Sequence, residues 1–418
     1  MLSLHDNETL TLAGPGTVMG DLLRRFWVPV LLSEQLPECD GPPMRVTVMG
    51  EDLIAFRETG GTVGLVQARC PHRGAGLYWG RNEEHGLRCV YHGWKFDTGG
   101  RCLEMPSEPP ESRFNEKIRI TAYPAEEFGG MVWAYMGPAD LPRPELPKLE
   151  FAVVPPEHRF LSRKLQECNW AQSVEGAIDT AHFSFLHMPV EVPESAPPFV
   201  RWMKNDGAPR FTVVPHEAGM VIGASRAASE DDYYWRITQF LVPNHSLAPG
   251  NERGQNMNGQ TWVPIDDEHC WVYAYTWTPE RPITEQEREQ MRAGFGIHSE
   301  LRPDGLPVRN RANEYLMDRA DQKTNSFTGI RGISEQDACI QDSQGFIYDR
   351  SHEHLGTTDI AIIEFRRMML TMARELREGQ EPPQARRGDA YLVRSGSAVA
   401  PRDVPFAAVA RERVTVRD

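Results

Sequence analysis

Short runs that alternate apolar and polar residues dominate the chain between Pro43 and about Tyr135. "RVTVMG", "DLIAFRET" and "GTVGLVQA" each alternate over a few positions and are separated by Gly and charged turns, and "GMVWAYMG" closes the region. Period-two patterns of this length, bounded by turn residues, predict short strands and a small all-β domain. Ahead of it, "VMGDLLRRFWVPVLLSEQL" (18–36) spaces its apolar residues like a short amphipathic helix that Pro29 stops or kinks. Behind it, the proline-rich "GPADLPRPELPKLEFAVVPP" (137–156) predicts a linker crossing between domains.

A helix is expected next at "NWAQSVEGAIDTAHFSF", with Asn169 as N-cap, Gln172 three residues on and Pro189 beyond the end. From 200 to 280 the pattern returns to strand, in "RFTVVPHEAGMVIGASRA", "YYWRITQFLVP" and "CWVYAYTWTP", which suits the meander of a larger antiparallel sheet. "TEQEREQMRAGF" and "TDIAIIEFRRMMLTMARELREG" (358–379) are helical by period. The tail after Gly379 is polar and charged and is expected to order only where it docks.

Composition narrows the classes. At 418 residues the chain has room for two or three domains, each with its own core. Its formal charge is -14, from 59 acidic and 45 basic residues, which argues against nucleic acid and anionic membranes as partners. No apolar run reaches the roughly 18 residues that span a bilayer. "MLSLHDNETLTLAGPG" does not read as a signal peptide. Seven cysteines, an odd number scattered through a large chain, disfavour a disulfide framework and point to a reducing, cytoplasmic compartment.

Four of the candidate ligands fall in "CPHRGAGLYWGRNEEHGLRCVYHGW" (70–94), spaced Cys70-x-His72 and Cys89-x-x-His92 with sixteen residues between the pairs. A zinc finger usually pairs like with like. Here each half is mixed, which suits a Rieske [2Fe–2S] centre: two loops, each offering a Cys to one iron and a His to the other. A structural zinc knuckle with two buried thiols is the bland alternative. Gly74, Gly76 and Gly93 allow close backbone approach, Trp94 and Tyr91 can shield the cluster, and His85 lies outside the rhythm as a surface histidine.

A second constellation follows the linker. Asp179, His182 and His187 are spaced D-x-x-H-x-x-x-x-H. Asp179 and His182 share a helix face, whereas His182 and His187 stand about 140° apart on a regular helix. Both histidines reach one metal only if the helix ends or distorts between them. Two histidines and a carboxylate make the facial triad of non-haem Fe(II) oxygenases. Alone, such histidines are more often satisfied core residues; the four soft ligands upstream reverse that weighting.

These residues carry a resemblance. "MGDLLRRFWVPVLL", the 70–97 stretch, "ECNWAQSVEGAIDTAHFSFLH" and "EQDACIQDSQGFIYDRSHEHLGTTDIAI" are similar to the catalytic α subunit of Rieske non-haem iron oxygenases, in the phthalate-dioxygenase-like branch. The resemblance covers nearly the whole chain. It implies an α+β fold: an all-β Rieske domain joined to a helix-grip catalytic domain with a large antiparallel sheet flanked by helices. The corresponding parts are an N-terminal helical segment, 1–42, packing on the catalytic domain; a Rieske domain, 43–140; and a mononuclear-iron domain, 141–418. It makes Asp337 the third iron ligand, with Asp342 five residues on; Ser334-x-x-Asp337 also reads as a capping-box variant, and Asp342, Asp349 and Asp359 are rivals by position. It implies that Asp179 is not a ligand but bridges His92 of one subunit to His182 of its neighbour, in a homotrimer or hexamer. Gly176 departs from the Asn that several relatives with other substrates carry after this glutamate, which removes a first-turn hydrogen bond toward the iron site from what the resemblance implies.

The substrate reading rests on arginine, which pairs bidentately with carboxylates. Arg210 in "APRFTVV" and Arg236 in "YYWRITQF" sit on strands expected to flank the cavity, though each is as readily a structural or surface residue. The leading expectation is an oxidoreductase that uses O2 to hydroxylate an aromatic compound, an aromatic carboxylate of the phthalate or substituted-benzoate kind. Its electrons come from a separate NAD(P)H-dependent flavin/iron–sulfur reductase, since the chain has no G-x-G-x-x-G fingerprint between a strand and a helix. The alternatives are a monooxygenase or O-demethylase acting on an aryl ether acid, a Rieske electron carrier without catalysis, and a two-zinc hydrolase.

Overall fold

A computed structural model of the chain describes residues 1–249 and 256–416. The alternating runs after residue 43 form a four-stranded antiparallel sheet of Met44–Val48, Glu51–Arg57, Val63–Gln67 and Ala122–Tyr123. A second, smaller sheet of Arg81–Glu83, Gly86–Arg88, Lys95–Phe96 and Cys102–Glu104 stands beside it. Ile54, Phe56, Val66, Leu77, Leu87 and Phe96 fill a separate core that takes in Cys70 and Cys89, so both thiols are anchored by packing.

The N-terminal segment differs from its predicted form. Only Leu4–Thr11 and Val18–Leu23 are α-helical; Trp27–Leu32 is a fully buried strand paired with Met131–Tyr135. A continuous apolar run cannot be told from a helix by period. Pro29 is tolerated because this strand lies at the edge of its three-stranded sheet, where a missing N–H breaks little, and the register shifts between Pro29 and Leu31. Both helices pack against the long helix Ile360–Arg377.

The second domain is an antiparallel eight-stranded sheet, counted among the described residues. Along it run Arg159–Gln166, Cys270–Trp277, Met257–Pro264, His245–Ala248, Asp232–Leu241, Gly219–Ala227 and Arg210–His216, with Gly396–Pro401 also pairing Asp232–Leu241. The tail is therefore a sheet strand followed by the helix Phe406–Val414, whose Phe406 and Val409 pack on Trp235 and Ile237. The helix Trp170–Ile178 crosses the middle strands. The linker ends in a short helix, Glu150–Val153, buried over its first three residues, where Glu150 accepts from the Trp277 indole (3.0 Å) and pairs with Arg394. No described helix is long and apolar enough to cross a membrane.

Candidate metal centres

The two Cys–His loops share one construction. The Cys70 N–H donates to the Ala75 carbonyl (2.8 Å) and its carbonyl accepts from the Gly74 N–H (2.9 Å); Cys89 repeats this with Trp94 (2.8 Å) and Gly93 (2.9 Å). Closing each ring needs a left-handed residue four positions after the cysteine, and Gly74 (φ 73°) and Gly93 (φ 76°) supply it. Gly76 is in ordinary extended backbone; the room it leaves is taken by the Trp79 ring, 3.4 Å from where a Cβ would stand.

Cys70 and Cys89 are buried and free. Burial, reinforced by neighbouring Cys89 and only partly offset by the His72 backbone N–H, pushes the Cys70 thiol up to about 11, so a thiolate there needs a compensating cation. The His72 and His92 rings meet at 4.4 Å, Trp94 stacks on His72 at 4.4 Å, and Tyr91 lies 3.9 Å from His92. His92 Nδ1 is buried with no hydrogen-bond partner. Two buried thiols outside any disulfide and an orphaned imidazole nitrogen are the donor set that a [2Fe–2S] cluster would satisfy. Exposed His85 stays outside this set, its Nδ1 2.7 Å from Glu58.

The second site depends on where a helix stops. Trp170–Ile178 ends before the histidines, not at Phe185 as the pattern suggests. Asp179 leaves the helix at φ -75°, ψ 118°; its N–H closes the last turn on Glu175, and its Oδ1 accepts from the Ala181 N–H at 2.7 Å to start a new turn. Asn169 caps the helix through the Ala171 N–H (3.0 Å), whereas Gln172 does not return to the cap: its amide donates to the Gln341 and Gly345 carbonyls. The 3₁₀ turn His182–Ser184 then brings His182 and His187 together, Nε2 to Nε2, at 3.1 Å.

Asp337, on the helix Ile333–Ser343, completes the group. Its Oδ1 is 3.2 Å from His187 Nε2 and 3.6 Å from His182 Nε2. Ser334 does not cap this helix; it accepts from Lys164 Nζ (2.7 Å). The rival carboxylates are engaged elsewhere: Asp342 by the Tyr315 hydroxyl, Asp349 by Ser351, Asp359 by the Gly356 N–H.

The hydrogen bonds fix the tautomers. Asp179 Oδ2 can only accept, so His182 donates from Nδ1 (3.2 Å). Gln336 gives its amide N–H to the Ile330 carbonyl (2.8 Å), which leaves its oxygen to accept from His187 Nδ1 (2.7 Å). Both Nε2 atoms therefore present lone pairs to each other and to Asp337. Burial works against charge on His187 and on Asp337, yet their attraction holds Asp337 below its usual pKa and His187 above its own. Positive charge is favoured at this point, and among the described residues His182, His187 and Asp337 are the one triplet with ligand atoms mutually within 4.8 Å.

Arg236 is buried near this site, its guanidinium 3.9 Å over the Phe183 ring, with Nε unpartnered and no carboxylate in ion-pair reach among the described residues. Its charge bears on His187. Arg210 is placed elsewhere. It is laterally aligned with Ser225 and Trp235, one position out of step with Arg236, so the pleat turns it to the other face. There it is exposed and donates to the Tyr233 hydroxyl (3.1 Å), so it does not flank the site as expected.

Three contributors were not foreseen: Gln336; Arg226, which is fully buried and donates to the Thr180 carbonyl (2.7 Å) and Ser184 (3.2 Å); and Gln341. Gln341 occupies the room left by Gly176, its Nε2 2.1 Å from where a Cβ would stand. An amide thus enters the cleft from the opposite helix. Arg226 alone left a sequence signal, an arginine inside an otherwise apolar strand run, "VIGASRA". The cleft, of about 400 Å³, is lined by Asp179, His182, Asp337, Ile340, Gln341 and Glu353 among others, and by none of the four cluster-loop ligands.

The chain matches the Rieske [2Fe-2S] domain family over residues 26–124 and the LigXa C-terminal-domain-like family over 134–408. It is 38% identical to the 3-chlorobenzoate-3,4-dioxygenase oxygenase subunit of Comamonas testosteroni, over 99% of both chains. It is 40% identical to the phthalate 4,5-dioxygenase oxygenase subunit of Pseudomonas putida, over 91% of this chain and 88% of that one. The crystal structure of dicamba monooxygenase bound to dicamba has the same fold, with a TM-score of 0.61 at 16% identity over 86% of this chain and 99% of that one. The chain belongs to the Rieske non-haem iron oxygenases, as an oxygenase subunit of the phthalate-dioxygenase-like branch. It is an oxidoreductase built around a Rieske [2Fe–2S] centre and a mononuclear iron.

Proposed function

We propose that this oxygenase subunit hydroxylates an aromatic carboxylate, drawing electrons from a separate NAD(P)H-dependent reductase. In this reading Cys70, His72, Cys89 and His92 hold the cluster, and His182, His187 and Asp337 hold the iron. When bound, the cluster supplies single electrons and the iron supplies coordination positions for O2 and its activation. The chain's own residues do the rest. Asp179 and Gln336 hold the two imidazoles with Nε2 free, and Arg226 clamps the turn that carries His182. Arg236 meets the substrate carboxylate, with Phe183 packed beneath its guanidinium.

The observation that carries the substrate class is Arg236: a buried guanidinium near His187 with no carboxylate among the described residues to neutralise it. Relatives whose names specify 3-chlorobenzoate and phthalate support the same class. Arg236→Met is expected to raise KM for an aromatic acid about ten- to hundred-fold, the equivalent of roughly 1.5–3 kcal/mol, with cluster absorbance unchanged. An unchanged KM contradicts the carboxylate reading. Product analysis separates ring hydroxylation from aryl-ether demethylation, which releases formaldehyde.

The working parts in this reading are the segment 1–42, the Rieske domain 43–140 and the catalytic domain 141–418, in a cytoplasmic trimer or hexamer. Support for the assembly comes from two exposed features. Val90 and Tyr91, beside His92, are 58% and 54% exposed, and the Asp179–His182 cleft has an exposed apolar rim at Ile340. Asp179 would then join His182 to His92 of a neighbouring copy, in a head-to-tail ring.

A further inference from the structure

A groove of about 320 Å³ runs along the flank of the first cluster loop, lined by Arg45, Asp52, Arg69, Gly76, Tyr78 and Trp79 among others. Trp79 is 68% exposed, unusual for an indole on a surface. The Arg45 guanidinium lies 3.5 Å over the Tyr78 ring and 5.5 Å from that of Trp79. Arg73, at the loop tip, lies 5.3 Å from the Tyr91 ring, and Arg69 reaches only the Gly74 carbonyl. The acids on the other side of the loops are already taken: Glu83 by Arg81 and Arg88, Glu84 by Lys95, Glu104 by Arg88. Within the groove Asp52 is the one acid in the lining, and it accepts from Thr47. A chain of net charge -14 thus carries free positive charge, an exposed Trp79 and a half-buried Tyr78 beside its redox loop.

We infer that this groove is the docking surface for an acidic electron-donor protein, a reductase domain carrying a reduced iron–sulfur centre. The inference rests on the reading that a separate reductase supplies the electrons. Two things favour this occupant over a second copy of the chain. A second copy is itself acidic, so its average surface is not drawn more strongly than that of a dedicated acidic carrier, and the apolar tip at Val90 and Tyr91 already offers the contact a ring needs. The path inward is also short. Arg69 bridges to Gly76, whose neighbour Ala75 accepts through its carbonyl from the Cys70 N–H at 2.8 Å. The groove would set the partner's reduced centre beside the loops whose Cys70, His72, Cys89 and His92 would hold the cluster, for a single-electron transfer in which no bond would form or break. Arg45 and Arg69 steer the encounter, and Trp79 supplies the desolvated anchor.

The test uses the assembled holoenzyme, anaerobic and without substrate, with a reduced phthalate-type reductase as the probe. Stopped-flow absorbance follows cluster reduction, and biolayer interferometry follows binding. Arg45→Glu is expected to slow the second-order rate about tenfold at low salt and to flatten its ionic-strength dependence. Trp79→Ala is expected to weaken binding about tenfold with less effect on salt dependence. Reduction by dithionite and the sedimentation coefficient should match the wild type in both variants. Rates and affinities unchanged by both substitutions overturn the inference. So does a loss of the oligomer, which assigns the groove to a second copy, and so does a matching loss with dithionite, which makes the residues structural. Because no substrate is present, failure of the aromatic-acid reading does not alter these results.

Discussion

At the residue scale the second site is decided by two hydrogen-bond acceptors. A neutral imidazole offers one lone pair, and which nitrogen offers it depends on what the other nitrogen donates to. Asp179 settles this for His182 and Gln336 for His187. Gln336→Leu removes the acceptor while keeping the volume. It is expected to lower mononuclear iron affinity about 10–100-fold, read by iron titration, with the Rieske absorbance unchanged. Unaltered affinity would mean the ring is held by packing alone. The histidines were legible in the sequence because their spacing is local. Gln336 was not, since it acts on a histidine 149 residues away and reads in "EQDAC" as an ordinary helix residue. Of the two strand arginines, Arg236 is the one on the inward face, near the site; Arg210 was misjudged because one step of strand register, invisible in sequence, turns a side chain through the sheet.

At the element scale the helix Trp170–Ile178 is held in place by a buried ion network. Glu175 accepts from Arg350 (2.9 and 3.0 Å) and Arg366 (2.7 Å); Arg366 also pairs with Glu353, and Arg350 reaches Asn7 Oδ1 (3.0 Å). One carboxylate thus ties the site-bearing helix to Ile360–Arg377 and to the N-terminal helix Leu4–Thr11. Burial alone would raise the Glu175 pKa, but Arg350 and Arg366 outweigh it and hold it below its ordinary value. Glu175→Gln leaves buried positive charge without its partner and is expected to cost about 3–5 kcal/mol in urea unfolding at neutral pH. A group with a lowered folded pKa contributes fully above the unfolded carboxyl range and loses that contribution as pH falls through the folded value. The gap between wild type and variant should therefore be flat from about pH 8 to about pH 5 and narrow below about pH 4. A gap under about 1 kcal/mol would show that the network is not a restraint. The strands after residue 43 were legible because alternation is a local signal. Trp27–Leu32 was not: six successive buried residues carry no period, and only pairing with Met131–Tyr135 makes them a strand.

For the whole molecule, none of the cluster-loop ligands lines the cleft at Asp179, and the proposed ring would bring a neighbour's cluster to it. If the two centres that cooperate belong to different subunits, inactive His92→Ala chains mixed with inactive His182→Ala chains after reversible dissociation should regain activity, because some interfaces then pair an intact cluster with an intact iron. Mixed oligomers that form without regaining activity would mean that electrons move within one chain. All of this stands on the ligand set, and Asp337 is its most exacting member, brought from far along the chain to two histidines that the sequence already paired. The most direct measurement is iron content together with the EPR spectrum of Asp337→Ala. The expected result is a fall from about three to about two irons per chain, with the Rieske signal intact and O2 uptake on an aromatic acid abolished. Retention of the third iron and of turnover would contradict the assignment and move the third ligand to another carboxylate.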